Sequence, residues 1–85
     1  MWRTAFTPQA DEFLDDLDDS IRERIMDKVE WLLANVDSVK HRRLSGGFRD
    51  FYKLRVGDYR VLYRMNREKE LIRIEDIGHR SEIYE

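Results

Sequence analysis

The 85-residue sequence predicts an α+β domain of order β-α-α-β-β-β, a helical hairpin packed on one face of an antiparallel sheet. Two apolar periodicities carry that reading: a helical repeat through residues 10–36, and a two-residue alternation through 51–77 broken by Gly57-Asp58. In addition, one Pro and four Gly leave no linker that could divide the chain, so residues 1–85 read as a single domain.

The elements follow in order. Trp2 to Phe6 alternates weakly and predicts a first strand, ended by Thr7 as a helix N-cap and Pro8 in the first helical turn. Ala10, Phe13, Leu14 and Leu17 then recur at helical spacing, while Asp11, Glu12, Asp15, Asp16 and Asp18 occupy the other side. Ser20 with Glu23 fits a capping box and predicts the start of a second helix. Its stripe is Ile21, Ile25, Val29, Leu32 and Val36, widened by Trp31 and Leu33, and a domain this small must bury it. Asn35 to Gly47 carries loop chemistry. Phe51 to Val56 and Tyr59 to Met65 predict a hairpin across Gly57-Asp58, with Gly placed first as a type II′ turn requires, and Leu71 to Ile77 predicts a last strand.

Composition bounds the function. The absence of cysteine excludes disulfides, thiol nucleophiles and Cys-ligated zinc, and two His without ligand spacing make neither a metal nor any other cofactor an expectation. No apolar run is long enough for a membrane span or a secretory signal, so the expected location is the cytoplasm. The net charge of −2 conceals a polarised molecule. Residues 1–38 hold 4 basic and 10 acidic side chains, and residues 39–85 hold 12 basic and 8 acidic. The imbalance sharpens between 40 and 64, where Lys40, Arg42, Arg43, Arg49, Lys53, Arg55, Arg60 and Arg64 meet only Asp50 and Asp58, which points to an anionic ligand for this half. A solvated basic surface is the competing reading.

Alternation separates the hairpin into two faces. Tyr52, Leu54, Val56, Tyr59, Val61, Tyr63 and Met65 form an apolar face for the helices, and Lys53, Arg55, Arg60, Leu62 and Arg64, joined by Arg73 from the last strand, form a basic one. A Gly57-Asp58 turn sets Arg55 directly opposite Arg60, a like-charge pair that stability alone disfavours. Two guanidinium groups so placed suit a phosphate, whose oxygens they bind bidentately; Glu75, Asp58 or a C-terminal carboxylate between them would be the structural alternative.

Three stretches resemble a known family: Arg43-Leu44-Ser45-Gly46, the run from Phe51 to Tyr63, and Ile77-Gly78-His79-Arg80 through Ile83-Tyr84. Together they look like the RelE family of type II toxins, within the wider RelE/ParE superfamily. The resemblance implies the β-α-α-β-β-β fold, ribosome-dependent cleavage of mRNA, and neutralisation by a cognate RelB-like antitoxin. It implies metal-free chemistry in which the ribose 2′-OH attacks the adjacent phosphate, with Lys53, Arg55, Arg60, Arg80 and Tyr84 in the catalytic positions. His79, Arg64, Arg73, Lys40, Arg42 and Arg43 are the expected substrate-binding residues. One position departs from the pattern: Arg55 stands where well-studied members carry a second lysine, and a guanidinium is a poor proton acceptor. Base duty then falls to Lys53, an amine crowded by cations, or to His79, an imidazole. Tyr84 would protonate the leaving oxygen or stack on a base, and Arg80 would stabilise the phosphate. A ParE-like gyrase inhibitor is the rival function, because that branch uses the same fold without an RNA-cleaving face; a catalytically weak toxin acting as an antitoxin-bound corepressor is a third.

Overall fold

A computed structural model of the chain describes residues 1–44 and 50–79 and orders seven elements. Strand β1 is Arg3–Phe6, helix α1 is Pro8–Asp15, and helix α2 is Asp19–Ala34. Strands β2 (Arg42–Arg43), β3 (Tyr52–Val56), β4 (Tyr59–Asn66) and β5 (Leu71–His79) follow. The five strands form one sheet in the order β1-β5-β4-β3-β2.

Thr7 caps α1 as its sequence position predicts, its Oγ1 accepting from the Ala10 amide while Pro8 opens the first turn. The entry to α2 differs from the expected Ser20–Glu23 box. This helix begins at Asp19, and the flanking Asp18 makes no side-chain capping bond. The connection is held instead by Arg22, whose Nε donates to the Leu14 carbonyl at 2.8 Å and whose Nη2 donates to the carbonyls of Leu17 at 2.7 Å and Asp15 at 3.2 Å. These oxygens lie at the negative end of α1, where the helix carries no basic residue of its own in its last turn.

The helical stripe is buried as predicted at Ile25, Val29, Leu32 and Val36, against Leu54, Val56, Val61, Tyr63, Ile72, Ile74 and Ile77 of the sheet. Trp31 departs from the expectation: the residue is 40% exposed, with the Lys28 ammonium 3.9 Å from the ring centroid. A ring beside the stripe can cover its apolar body with a lysine while lying largely outside the core.

The sheet is mixed, where the sequence predicted an antiparallel one. β1 runs parallel to β5, and the other three pairings are antiparallel. The chain leaves β1 through two helices, re-enters at the far edge, and steps back by hairpins until β5 lies beside β1 in the same direction; local periodicity holds no record of that return. The two-residue β2 lies within the stretch expected as loop, too short for an alternation to show. The hairpin register is as predicted, with Leu54 opposite Val61, Arg55 opposite Arg60 and Val56 opposite Tyr59. Gly57 has φ of 59°, the left-handed conformation that the first position of a type II′ turn demands.

The irregularity that most shapes the molecule is a bulge in β5. Leu62 pairs with Asp76 but its neighbour Tyr63 pairs with Ile74, so Glu75 is an inserted residue. Ile74 and Ile77 are three apart yet both buried under the helices, which uninterrupted alternation forbids. Thr7 pins the distortion from the neighbouring segment: its amide donates to the Ile74 carbonyl and its hydroxyl to the Glu75 carbonyl at 2.8 Å.

Candidate functional site

On the sheet face away from the helices, Arg42, Lys53, Arg55 and Arg60 line a pocket of about 390 Å³. Register alone brings them together. Arg42 is the cross-strand partner of Lys53, Arg55 is the partner of Arg60, and Lys53 and Arg55 share one face of β3 because side chains alternate. The residue opposite Arg60 on β5 is Gly78, which contributes no side chain of its own to that flank. Glu75, weighed as a carboxylate for the Arg55–Arg60 pair, is engaged elsewhere: its Oε2 lies 3.4 Å from Arg73 Nε. A pocket walled by four cations suits a multiply charged anion, since guanidinium forks and an ammonium can address several oxygens of one phosphate together.

The remaining predicted residues fall into three groups. Arg64 and Arg73 are cross-strand partners on the same face, further along β4, and line a separate concavity. Arg43 and His79 lie on the opposite face from the four-cation pocket. Arg43 pairs with Tyr52 and holds its guanidinium carbon 5.4 Å from that ring's centroid, and His79 pairs with Tyr59, ring to ring at 5.4 Å and 85°. For His79 the cause is the bulge: continued alternation from Arg73 would carry residue 79 onto the basic face, and the inserted Glu75 turns it with Ile77 toward the helices. Lys40 is exposed in the segment before β2 and does not line the pocket. Arg80 and Tyr84 lie outside the described residues.

Sequence reasoning missed what steadies β2. His41 is half-buried, with Nε2 2.8 Å from the Val36 carbonyl and Nδ1 2.7 Å from the Tyr63 hydroxyl, and its ring stands edge-on to both Tyr52 and Tyr63. It ties the segment after α2 to the central strand one residue before Arg42 enters the pocket. The carbonyl can only accept, so Nε2 is the donor and Nδ1 faces the phenol. Burial, and secondarily the neighbouring Tyr52, push the Tyr63 phenol well above its usual range, so it stays protonated as the donor to His41. The signal for this role was a His one residue ahead of the paired arginines, two residues C-terminal to an apolar Val39; nothing in that spacing identifies its partners.

Among the described residues no three His, Cys, Asp or Glu side chains converge as metal ligands, and no described helix is long and apolar enough to cross a membrane. The fold recurs in solved toxins. The chain superposes on the toxin–antitoxin complex RelBE2 of Mycobacterium tuberculosis with a TM-score of 0.81 at 24% identity, covering 92% of this chain and 96% of that one. For the isolated RelE toxin of E. coli the TM-score is 0.77 at 22% identity, over 93% and 84% of the two chains. For the RelB–RelE complex of Methanococcus jannaschii it is 0.68 at 26% identity, over 93% of each. No curated protein matches the chain. Residues 5–84 match the family model described as the ParE toxin of the type II toxin-antitoxin system parDE, nearly the whole length, and the chain therefore belongs to this toxin family of the RelE/ParE superfamily.

Proposed function

We propose that this toxin is a cytoplasmic, ribosome-dependent mRNA endoribonuclease, held in check by a RelB-like antitoxin. The observation that carries the reading is the four-cation pocket, and within it the directly opposed Arg55 and Arg60. Two guanidinium groups so placed can address one phosphate together and stabilise the charge that gathers on phosphorus during cleavage. In the proposed reaction the ribose 2′-oxygen bonds to the adjacent phosphorus as its proton leaves to a base. The bond from phosphorus to the 5′-oxygen breaks, and that oxygen takes up a proton. Lys53, half-buried in the pocket wall, is the better placed of the two candidate bases, because His79 packs on Tyr59 across the sheet. Arg55 and Arg60 stabilise the phosphorane-like charge, and Arg42 joins them from β2. By resemblance, Arg80 adds a further cation and Tyr84 supplies the proton to the leaving oxygen. The antitoxin partner is supported by the relatives of Mycobacterium tuberculosis and Methanococcus jannaschii, which were solved as toxin–antitoxin complexes.

A second reading, a protein-binding inhibitor of gyrase, is favoured by the family model, which is the ParE one. Purified toxin incubated with translating ribosomes distinguishes the two. The expected result is mRNA cut at the decoding site, with Arg60→Ala lowering the cleavage rate by about 100- to 1000-fold, as loss of one charge-stabilising donor does. Intact mRNA together with gyrase-linked DNA breaks would overturn the ribonuclease reading in favour of the second.

A further inference from the structure

The basic face does not end at the four-cation pocket. Further along β4, Arg64, Met65, Asn66, Leu71, Arg73 and Glu75 line a second concavity of about 290 Å³. Its two arginines repeat the feature that marks the first. Arg64 and Arg73 are direct cross-strand partners, a second like-charge opposition on a surface where each such pair costs stability. Both side chains are exposed, Arg64 lying over the Phe51 ring at 5.6 Å and Arg73 pairing with the far less exposed Glu75 carboxylate at 3.4 Å. Glu75, two residues on from Arg73, shares its face by alternation, and as the inserted residue of β5 it has no cross-strand partner on β4.

The geometry relating the two pairs is set by one strand. Arg60 and Arg64 are four residues apart on β4 and point to the same face, which separates the pairs by about 13 Å along the strand. That is too far for both to hold one phosphate, and the two lie in line along a single β-strand, as two non-adjacent phosphates of one extended polyanion can. We propose that Arg64 and Arg73 form a second anion site, which holds another backbone phosphate of the same RNA strand whose reacting phosphate occupies the four-cation pocket. This rests on the ribonuclease reading. Glu75 is the built-in competitor for Arg73: an incoming phosphate displaces its carboxylate, which weakens the site relative to the first pocket and makes it a positioning site for the strand and not a second cleavage centre.

Fluorescence anisotropy with labelled 2′-O-methyl oligonucleotides, which lack the attacking hydroxyl, tests this on the intact chain. A dinucleotide carries one phosphate and an octanucleotide spans both sites. The double variant Arg64→Gln/Arg73→Gln is expected to lose octanucleotide affinity by about tenfold, and to lower the salt slope by about 1.4 for two lost contacts, with dinucleotide binding unchanged. Glu75→Gln is expected to raise octanucleotide affinity several-fold, a gain that misfolding cannot mimic. Equal losses on both lengths, an unchanged slope, or no gain from Glu75→Gln would overturn the second site alone. If wild type binds neither length, or if Arg55→Gln/Arg60→Gln binds both as wild type does, the ribonuclease reading falls with it. A poly-glutamate peptide whose binding needs Arg64 and Arg73 while RNA binding does not would reassign the pair to a protein partner and overturn RNA as its occupant.

Discussion

Arg22→Ala tests whether one side chain locks the helical hairpin that roofs the core. The guanidinium reaches three carbonyl oxygens at the end of α1 and the following turn, two of them in partly buried surroundings at 2.7 and 2.8 Å. Its fourth contact, with Asp19 at 2.7 Å, pairs it with a carboxylate that is 94% exposed and contributes little. Removal leaves the Leu17 and Asp15 carbonyls to water, while Leu14 keeps the Leu17 amide as donor. Two partly buried charge-assisted bonds, discounted for rehydration of the freed oxygens, place the loss at about 2–3 kcal/mol. In a domain of this size that lowers the thermal midpoint by about 10–20 °C. Arg22→Lys keeps the charge but loses the fork, so it should fall between the two, and Asp19→Ala should cost under about 0.5 kcal/mol. Calorimetric or circular dichroism melts of the three variants decide the matter. A midpoint shift under about 3 °C for Arg22→Ala, or Arg22→Lys behaving as wild type, would refute the view that carbonyl capture by the fork holds the hairpin.

Two further perturbations follow from the geometry. Gly57→Ala should cost about 1–2 kcal/mol, because φ is 59° there and a Cβ would meet Arg24 Nη2 at 3.0 Å; chemical denaturation measures it. The raised Tyr63 phenol predicts a pH dependence with a definite sign: its contribution is fully present below the unfolded value near 10 and is lost as pH rises above it, by up to about 1.4 kcal/mol per unit. Urea midpoints between pH 9 and 11 should fall less steeply in Tyr63→Phe than in wild type, and identical slopes would contradict the assignment.

What the sequence made legible is what strict local rules determine. The turn residues Gly57-Asp58 set the hairpin register, and through it the opposition of Arg55 and Arg60, before any coordinates. Thr7-Pro8 marked the start of α1 for the same reason: capping depends on a handful of consecutive residues. The entry to α2 was misread because Ser20 and Glu23 fit a local motif, while the observed stop is made by Arg22 reaching back eight residues to Leu14. Strand β2 and the parallel β1–β5 pairing were invisible since edge partners are chosen by the whole chain path. Arg42 was expected as one of several basic loop residues; only its pairing with Lys53 separates it from Arg43, which the same pairing turns to the other side.

The bulge in β5 is where local pattern and final function part most sharply. A period-two reading of Leu71 to His79 must choose between burying Ile72 and Ile74 or burying Ile77, and the chain buries all three by inserting Glu75. Thr7 makes that insertion affordable, since the carbonyl that loses its place in the ladder accepts the Thr7 hydroxyl. The same insertion removes His79 from the basic face, while Glu75, two residues on from Arg73, keeps its carboxylate beside that guanidinium by ordinary alternation. Among the described residues, Arg42, Lys53, Arg55 and Arg60 line one pocket, and the arginine pair beyond it has Glu75 in its lining. One residue of register thus decides which side chains of β5 reach the basic face, a distinction that composition alone does not make.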